Sequence, residues 1–278
     1  MGERVVRYFF GRLNLIGSFT DKRSFVLRGL ESRKVFEYRG YNWGFFEINE
    51  IKNEMGDFIH GFLVKYKLKS EEEVAVPNKH KLTLESIANR VIAKSRFFLH
   101  VETSVIAYHP VGNQIVSGVF CERFARIFEK NHEGFFVNAE IQIIEEQYKI
   151  FEAIKRFSSI RKVSISLNPS NPSNIDRWRK IDERLKRLGA LKYHEEYEGN
   201  PDVRSLDVEK DEEVISKISM AEDGYGRADV SGAIEGESKT ISTRDNPITA
   251  VGPRDDEPAD SVLGKLSQTL KKILRRFK

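Results

Sequence analysis

The stretch Phe135-Phe136-Val137-Asn138-Ala139-Glu140-Ile141-Gln142-Ile143 decides the class of fold. Phe135, Val137, Ala139, Ile141 and Ile143 alternate with Asn138, Glu140 and Gln142. Successive strand side chains point to opposite faces, so the pattern predicts a strand with one dry and one wet face. Such a strand belongs to an antiparallel sheet backed by another layer. Just upstream, residues 113–130 place Ile115, Val119, Phe120, Phe124 and Ile127 on one helical face. Downstream, helix and strand alternate: 148–157 helical, 161–167 extended, 175–188 helical and 190–197 extended.

Toward the N-terminus the pattern turns mostly to strands. Residues 5–15 alternate, 21–30 suit a short helix, and 34–38, 43–51 and 58–68 read as an antiparallel meander. Residues 82–94 set Leu84, Ile87, Val91 and Ile92 on one helical face, ahead of a strand over 96–109. The expectation is an α+β body with a mixed, largely antiparallel sheet, its helices mainly in the second half. One sheet carrying helices on one face fits both halves. Two subdomains divided near residues 70–80 are the alternative.

Composition divides the chain further. Of its 30 aromatic residues, 28 fall in residues 1–205. Residues 206–260 carry 15 acids against 6 cations and one aromatic, Tyr225. That composition predicts an acidic disordered linker, because too little apolar surface is available to offset chain entropy. Residues 261–278 hold 6 cations and no acid, which leaves a net +7 on residues 1–205. Cys121 is the only cysteine, so no intrachain disulfide forms and a reducing, cytoplasmic setting is expected. No window approaches the ~18 to 20 apolar residues of a membrane span. Neither an apolar signal core nor a myristoylation signal opens the chain, since Val6 stands where the latter wants Ser or Thr.

Several chemistries are excluded by their signatures. Gly264-Lys265 is followed by Leu266 and lacks a Walker loop, and Gly224-Tyr225-Gly226 is not set between strand and helix. The chain has no Gly-x-Ser-x-Gly elbow, and one cysteine cannot build a deaminase zinc site. Three catalytic candidates remain. Glu47, Glu50 and Lys52 resemble the carboxylate and lysine tail of Mg²⁺-dependent nucleases, without a convincing upstream Asp. His100 and Glu102, two apart on a strand, form a base or ligand pair; the same pair also serves as a satisfied structural contact. Arg126 and His132 flank a helix end at a spacing some ribonucleases use, on a chain whose β content argues against that fold.

Asn168, Ser170, Asn171, Ser173 and Asn174 form a loop before a helix whose first turns carry Arg177. A helix N-terminus with free N–H groups and nearby hydroxyls suits a phosphate, although strand termination and capping explain the same residues. The tail carries the clearest pattern. Val262, Leu263, Leu266, Leu270, Ile273, Leu274 and Phe277 share an arc of ~120° on a helical wheel. Lys271, Lys272, Arg275 and Arg276 lie outside it. Such a stripe needs an anionic membrane surface, a groove on another protein, or the chain's own sheet. Together these features predict a non-catalytic cytoplasmic protein without metal or cofactor. Its basic body would contact nucleic acid, and its tethered helix would dock peripherally on the inner membrane surface or on a partner. A metal-dependent nuclease and a structural adaptor are the alternatives.

Overall fold

The computed structural model describes residues 5–16, 21–32, 34–76, 78, 81–133, 137–170, 176–200, 205–254 and 257–277. In chain order its elements are β1 (Val5–Ile16), α1 (Lys22–Glu31), β2 (Phe36–Tyr38), β3 (Tyr41–Asn53), β4 (Gly56–Val76), β5 (Lys81–His100), β6 (Val105–Tyr108), α2 (Ser117–Asn131), β7 (Asn138–Ile143), α3 (Lys149–Ile154), β8 (Ser159–Leu167), α4 (Arg179–Arg187), β9 (Tyr193–Glu198), α5 (Glu212–Met220), β10 (Gly226–Ile234), β11 (Glu237–Ser242), β12 (Thr249–Pro253) and α6 (Ala259–Leu274). The fold is α+β. The first sheet runs β12-β1-β6-β5-β4-β3-β2, with β7 also paired to β1, and the second runs β11-β10-β8-β9. Every strand pair described is antiparallel.

Alternation along the strands gives the first sheet two apolar faces, and helices cover both. On one face α1 and α2 pack Phe25, Leu30, Phe120, Phe124 and Phe128 against Leu13, Leu63, Phe97 and Tyr108. Asp21 caps α1, its carboxylate accepting from the Arg23 and Ser24 amides at 3.0 and 3.3 Å, a contact worth about 1 kcal/mol. On the opposite face α6 lays Val262, Leu263, Leu266, Leu270, Ile273 and Leu274 on Tyr8, Phe10, Phe58, Phe98, Val105 and Ala107. Each buried aliphatic chain contributes roughly 1.5 to 3 kcal/mol. This stripe therefore holds α6 in place. The second sheet has its own core of Ile165, Leu167, Trp178, Ile218, Tyr225 and Val230.

The structure corrects four expectations. Residues 82–94 are strand, within β5, because eleven of them have registered partners on β4, which outweighs a helical pattern carried largely by β-branched residues. No boundary falls near residues 70–80, since β4 up to Val76 pairs continuously with β5 from Lys81 in one ribbon. Of the second-half strands, β7 and β12 join the first sheet while β8, β9, β10 and β11 build a separate one, and the first sheet is covered on both faces. Residues 206–260 are no linker. They supply α5, β10, β11 and β12, with Val214, Ile218, Met220, Tyr225, Val230 and Ile248 all buried. An average over the whole segment hid the period-two burial of Ala228, Val230 and Ile234 in β10, which pairs with β8.

Candidate nucleic-acid interface

The strands β4 and β5 are 21 and 20 residues long and outrun their neighbours. Pairing of β3 with β4 reaches only Asn42 opposite Tyr66, so the residues beyond continue as a two-stranded ribbon. A bulge between Lys65 and Tyr66 marks its root, and bulges sharpen the local twist. Alternation then sorts the root's side chains by face.

One face is cationic and aromatic. Lys65, Lys67 and Lys69 follow one another on β4, with Arg90 in register with Lys67. The Lys65 ammonium lies 3.9 Å from the Tyr41 ring centroid and 5.7 Å from that of Trp43, and Lys67 lies 5.2 Å from Tyr41. Arg39 sits 5.1 Å from Tyr38. The buried Arg123 guanidinium covers Tyr38 at 3.6 Å while pairing with Glu122 at 2.9 Å. Among the described residues, Lys65, Lys67 and Lys69 have no carboxylate partner. The opposite face is apolar. Phe46, Phe62, Val64, Tyr66, Leu68 and Val91 line an open recess of about 390 Å³. Phe46 meets Tyr66 edge to face at 5.7 Å, and Lys94 caps Phe62 at 4.6 Å.

The residues singled out in the sequence do not converge. Glu50 accepts from Arg23 Nε at 2.8 Å, and Lys52 lies 3.5 Å from Asp57. Glu47 adopts a left-handed φ of 53° at a bulge and lines the recess on the other face. No group of acids and histidines among the described residues is arranged to hold a metal. His100 is buried, with Nδ1 2.8 Å from Thr103 Oγ1 and Nε2 3.1 Å from the Met55 carbonyl. Strand β5 ends at His100, so Glu102 stands in the turn that follows and is not its neighbour on one face. His132 is buried and stacks on Phe25 at 4.0 Å, whereas Arg126 is exposed.

The described residues of the loop expected to bind an anion are engaged internally. Asp182 accepts from the Ser170 amide at 2.6 Å and from its hydroxyl. Asn168 donates to Glu140 at 2.9 Å, and Arg177 pairs with Asp223 at 2.8 Å. Asn171, Ser173 and Asn174 lie outside the described residues. The tail stripe is equally engaged. Leu263, Leu266, Leu270, Ile273 and Leu274 are buried under the chain's own sheet, and Arg12 covers Phe277 at 3.8 Å. Lys271 pairs with Glu54, Lys272 with Glu146 at 3.0 Å, and Arg276 donates to the Glu145 carbonyl at 2.8 Å. Only Arg275 of the predicted tail cations is exposed without a described ion pair. The docking partner is thus the third of the three anticipated.

Two further sites escaped the sequence. A cleft of about 720 Å³ between α2 and β7 is lined by charges of both signs, including Glu122, Arg126, Glu140 and Arg244. Its Cys121 thiol is pushed up to about 11 by burial, which leaves it protonated and unreactive near neutrality. Where the two sheets meet α6, Arg12, Glu145, Arg177, Glu222, Asp223 and Arg276 gather from distant parts of the chain. Arg12 Nε donates to the Asp223 carbonyl at 3.0 Å and its Nη1 to Tyr225 Oη at 2.7 Å. Burial raises Glu145 to about 7; burial, followed by the charges of Glu145 and Asp223, raises Glu222 to about 8. Neither Glu222 carboxyl oxygen has a hydrogen-bond partner of good geometry among the described residues. The group cross-links the two sheets and stores protons near neutral pH.

What the fold and surface define is an α+β protein of two antiparallel sheets with a cationic, aromatic ribbon root. The chain belongs to the family described as a domain of unknown function, DUF4747, whose model matches residues 21–274, from α1 to the end of α6. No curated protein matches it.

Proposed function

We propose that the chain is a non-catalytic cytoplasmic protein that binds single-stranded nucleic acid along the ribbon root. The supporting observation is the face on which Lys65, Lys67, Lys69 and Arg90 interleave with Tyr38 and Tyr41. Alternate strand residues stand ~6.6 Å apart, close to two steps of a stacked strand at ~3.4 Å each. Lysines at that repeat follow a phosphate backbone, and the tyrosine rings offer stacking surfaces to bases of any sequence. The α6 stripe has no part in this function, because it is consumed in holding the sheet.

The test is fluorescence anisotropy with labelled single-stranded and duplex oligonucleotides. Single strands should bind more tightly than duplexes. With four cations engaged, log affinity should fall against log salt with a slope of about −3. Lys65→Glu with Lys67→Glu should weaken binding at least tenfold while thermal unfolding is unchanged. Absence of binding at about 50 mM salt, or a double variant that binds as well as the parent, would overturn the reading.

A further inference from the structure

The apolar face of the ribbon points to a second copy of this chain. A two-stranded ribbon is marginal alone in water, and this one keeps Leu68 54% and Val91 57% exposed, beside Phe46 at 44%. Register fixes the order of residues on that face. From root to tip the cross-strand pairs are Val64 with Lys94, Tyr66 with Val91, Ser70 with Ile87 and Glu72 with Glu85. Lys67 opposite Arg90 and Lys69 opposite Ala88 bracket Leu68 and Asn89, the latter at a left-handed φ of 53°, as the central position. The extra residue Ile92 falls in the bulge and does not disturb the count.

Along β5 this order is self-complementary about the position of Leu68. An exposed cation, Lys94, stands two pairs toward the root, and an exposed acid, Glu85, stands two pairs toward the tip. Val91 and Ile87 stand one pair to either side. A two-fold axis through Leu68, lying across the ribbon in the plane of contact, turns one such face onto an identical one running the other way. Each Lys94 then meets the partner's Glu85, each Val91 the partner's Ile87, and Leu68 its own symmetry mate. An isologous contact demands this arrangement, in which residue i meets j while j meets i.

We propose that two copies of the chain associate through this face as an antiparallel, two-fold ribbon pair. The contact covers about ten residues of each strand, ~33 Å of ribbon. That is a small interface, of the size class that gives reversible association. The cationic face used for nucleic acid lies on the other side of the ribbon and stays open, so this proposal does not rest on that one.

Sedimentation equilibrium of the full chain from about 1 to about 200 μM tests it. A monomer–dimer equilibrium is expected, and Leu68→Glu should leave monomer throughout with unchanged circular dichroism. Lys94→Glu and Glu85→Lys should each raise the dissociation constant about tenfold, as loss of a partly desolvated pair does. Their combination should restore dimerisation, because the swapped charges again face each other across the axis. Monomer at every concentration would overturn the proposal, as would a dimer indifferent to Leu68→Glu or a charge-swapped double variant that stays as weak as its parents. Loss of oligonucleotide binding by Leu68→Glu in a monomeric chain would likewise overturn it and assign the face to nucleic acid.

Discussion

One face of the first sheet carries two apolar regions that differ only in what lies on them. Tyr8, Phe10, Phe58 and Phe98 are sealed by α6 and fully buried. Further along the same strands, Phe62, Val64 and Tyr66 continue the face, buried among their neighbours without a described helix over them and flanked by exposed Phe46, Leu68 and Val91. Residue type does not separate the two regions, since both are aromatic and aliphatic at alternate positions. The distinction comes from a helix more than 150 residues away in sequence. An apolar strand face is core where something covers it and a binding surface where nothing does.

The comparison is broken most directly at Leu270. Replacing it with Glu places a charge under α6 and should cost about 4 kcal/mol or more in urea denaturation, whereas Leu68→Glu at the open end should cost under about 1 kcal/mol. Equal losses would mean that α6 contributes nothing to stability and that the sealed half is not core.

A smaller effect concerns the proton store beneath the end of α6. In the folded chain Glu222 and Glu145 keep their protons to about 8 and about 7, while unfolded glutamates lose them near 4.3. Across that window the folded state binds more protons than the unfolded one, so stability should fall as pH rises from about 5 to about 8. Glu222→Gln cannot titrate and should flatten this dependence by about one proton, ~1.4 kcal/mol per pH unit. Calorimetric melting over that range measures it. A parent whose melting temperature rises over the window contradicts the assignment.

The smallest effect sharpens the cause of docking. If the apolar stripe holds α6, then Lys272→Ala, which removes an exposed ion pair to Glu146, should change stability by under about 0.5 kcal/mol. A loss comparable to that of Leu270→Glu would make charge the main anchor.

Much of the fold was legible in local pattern. The strands at β1, β7 and β8, the helices α1 and α2, and the stripe of α6 follow from period-two and period-3.6 spacing that the structure retains. The candidate site was less so. Lys65, Lys67 and Lys69 sit in a segment correctly read as strand at its start, but their role depends on Tyr38 and Tyr41 being brought beside them by β2 and β3. Alternating lysines at the end of an aromatic meander were the one available signal. The carboxylates Glu145 and Glu222 gave none, because a pKa raised by burial belongs to the environment and not to the residue.

The sequence by itself determined which residues are apolar, at what period, and therefore the α+β class, the amphipathic tail and the exclusion of an intrachain disulfide and of a Walker loop. Only tertiary structure decided that residues 82–94 are strand, that 206–260 complete both sheets, and that α6 covers half a face and leaves the rest open. The physical reason is common to all three. A strand closes its hydrogen bonds with a distant partner and an amphipathic helix buries its stripe against a distant surface, so neither outcome is contained in the segment that adopts it.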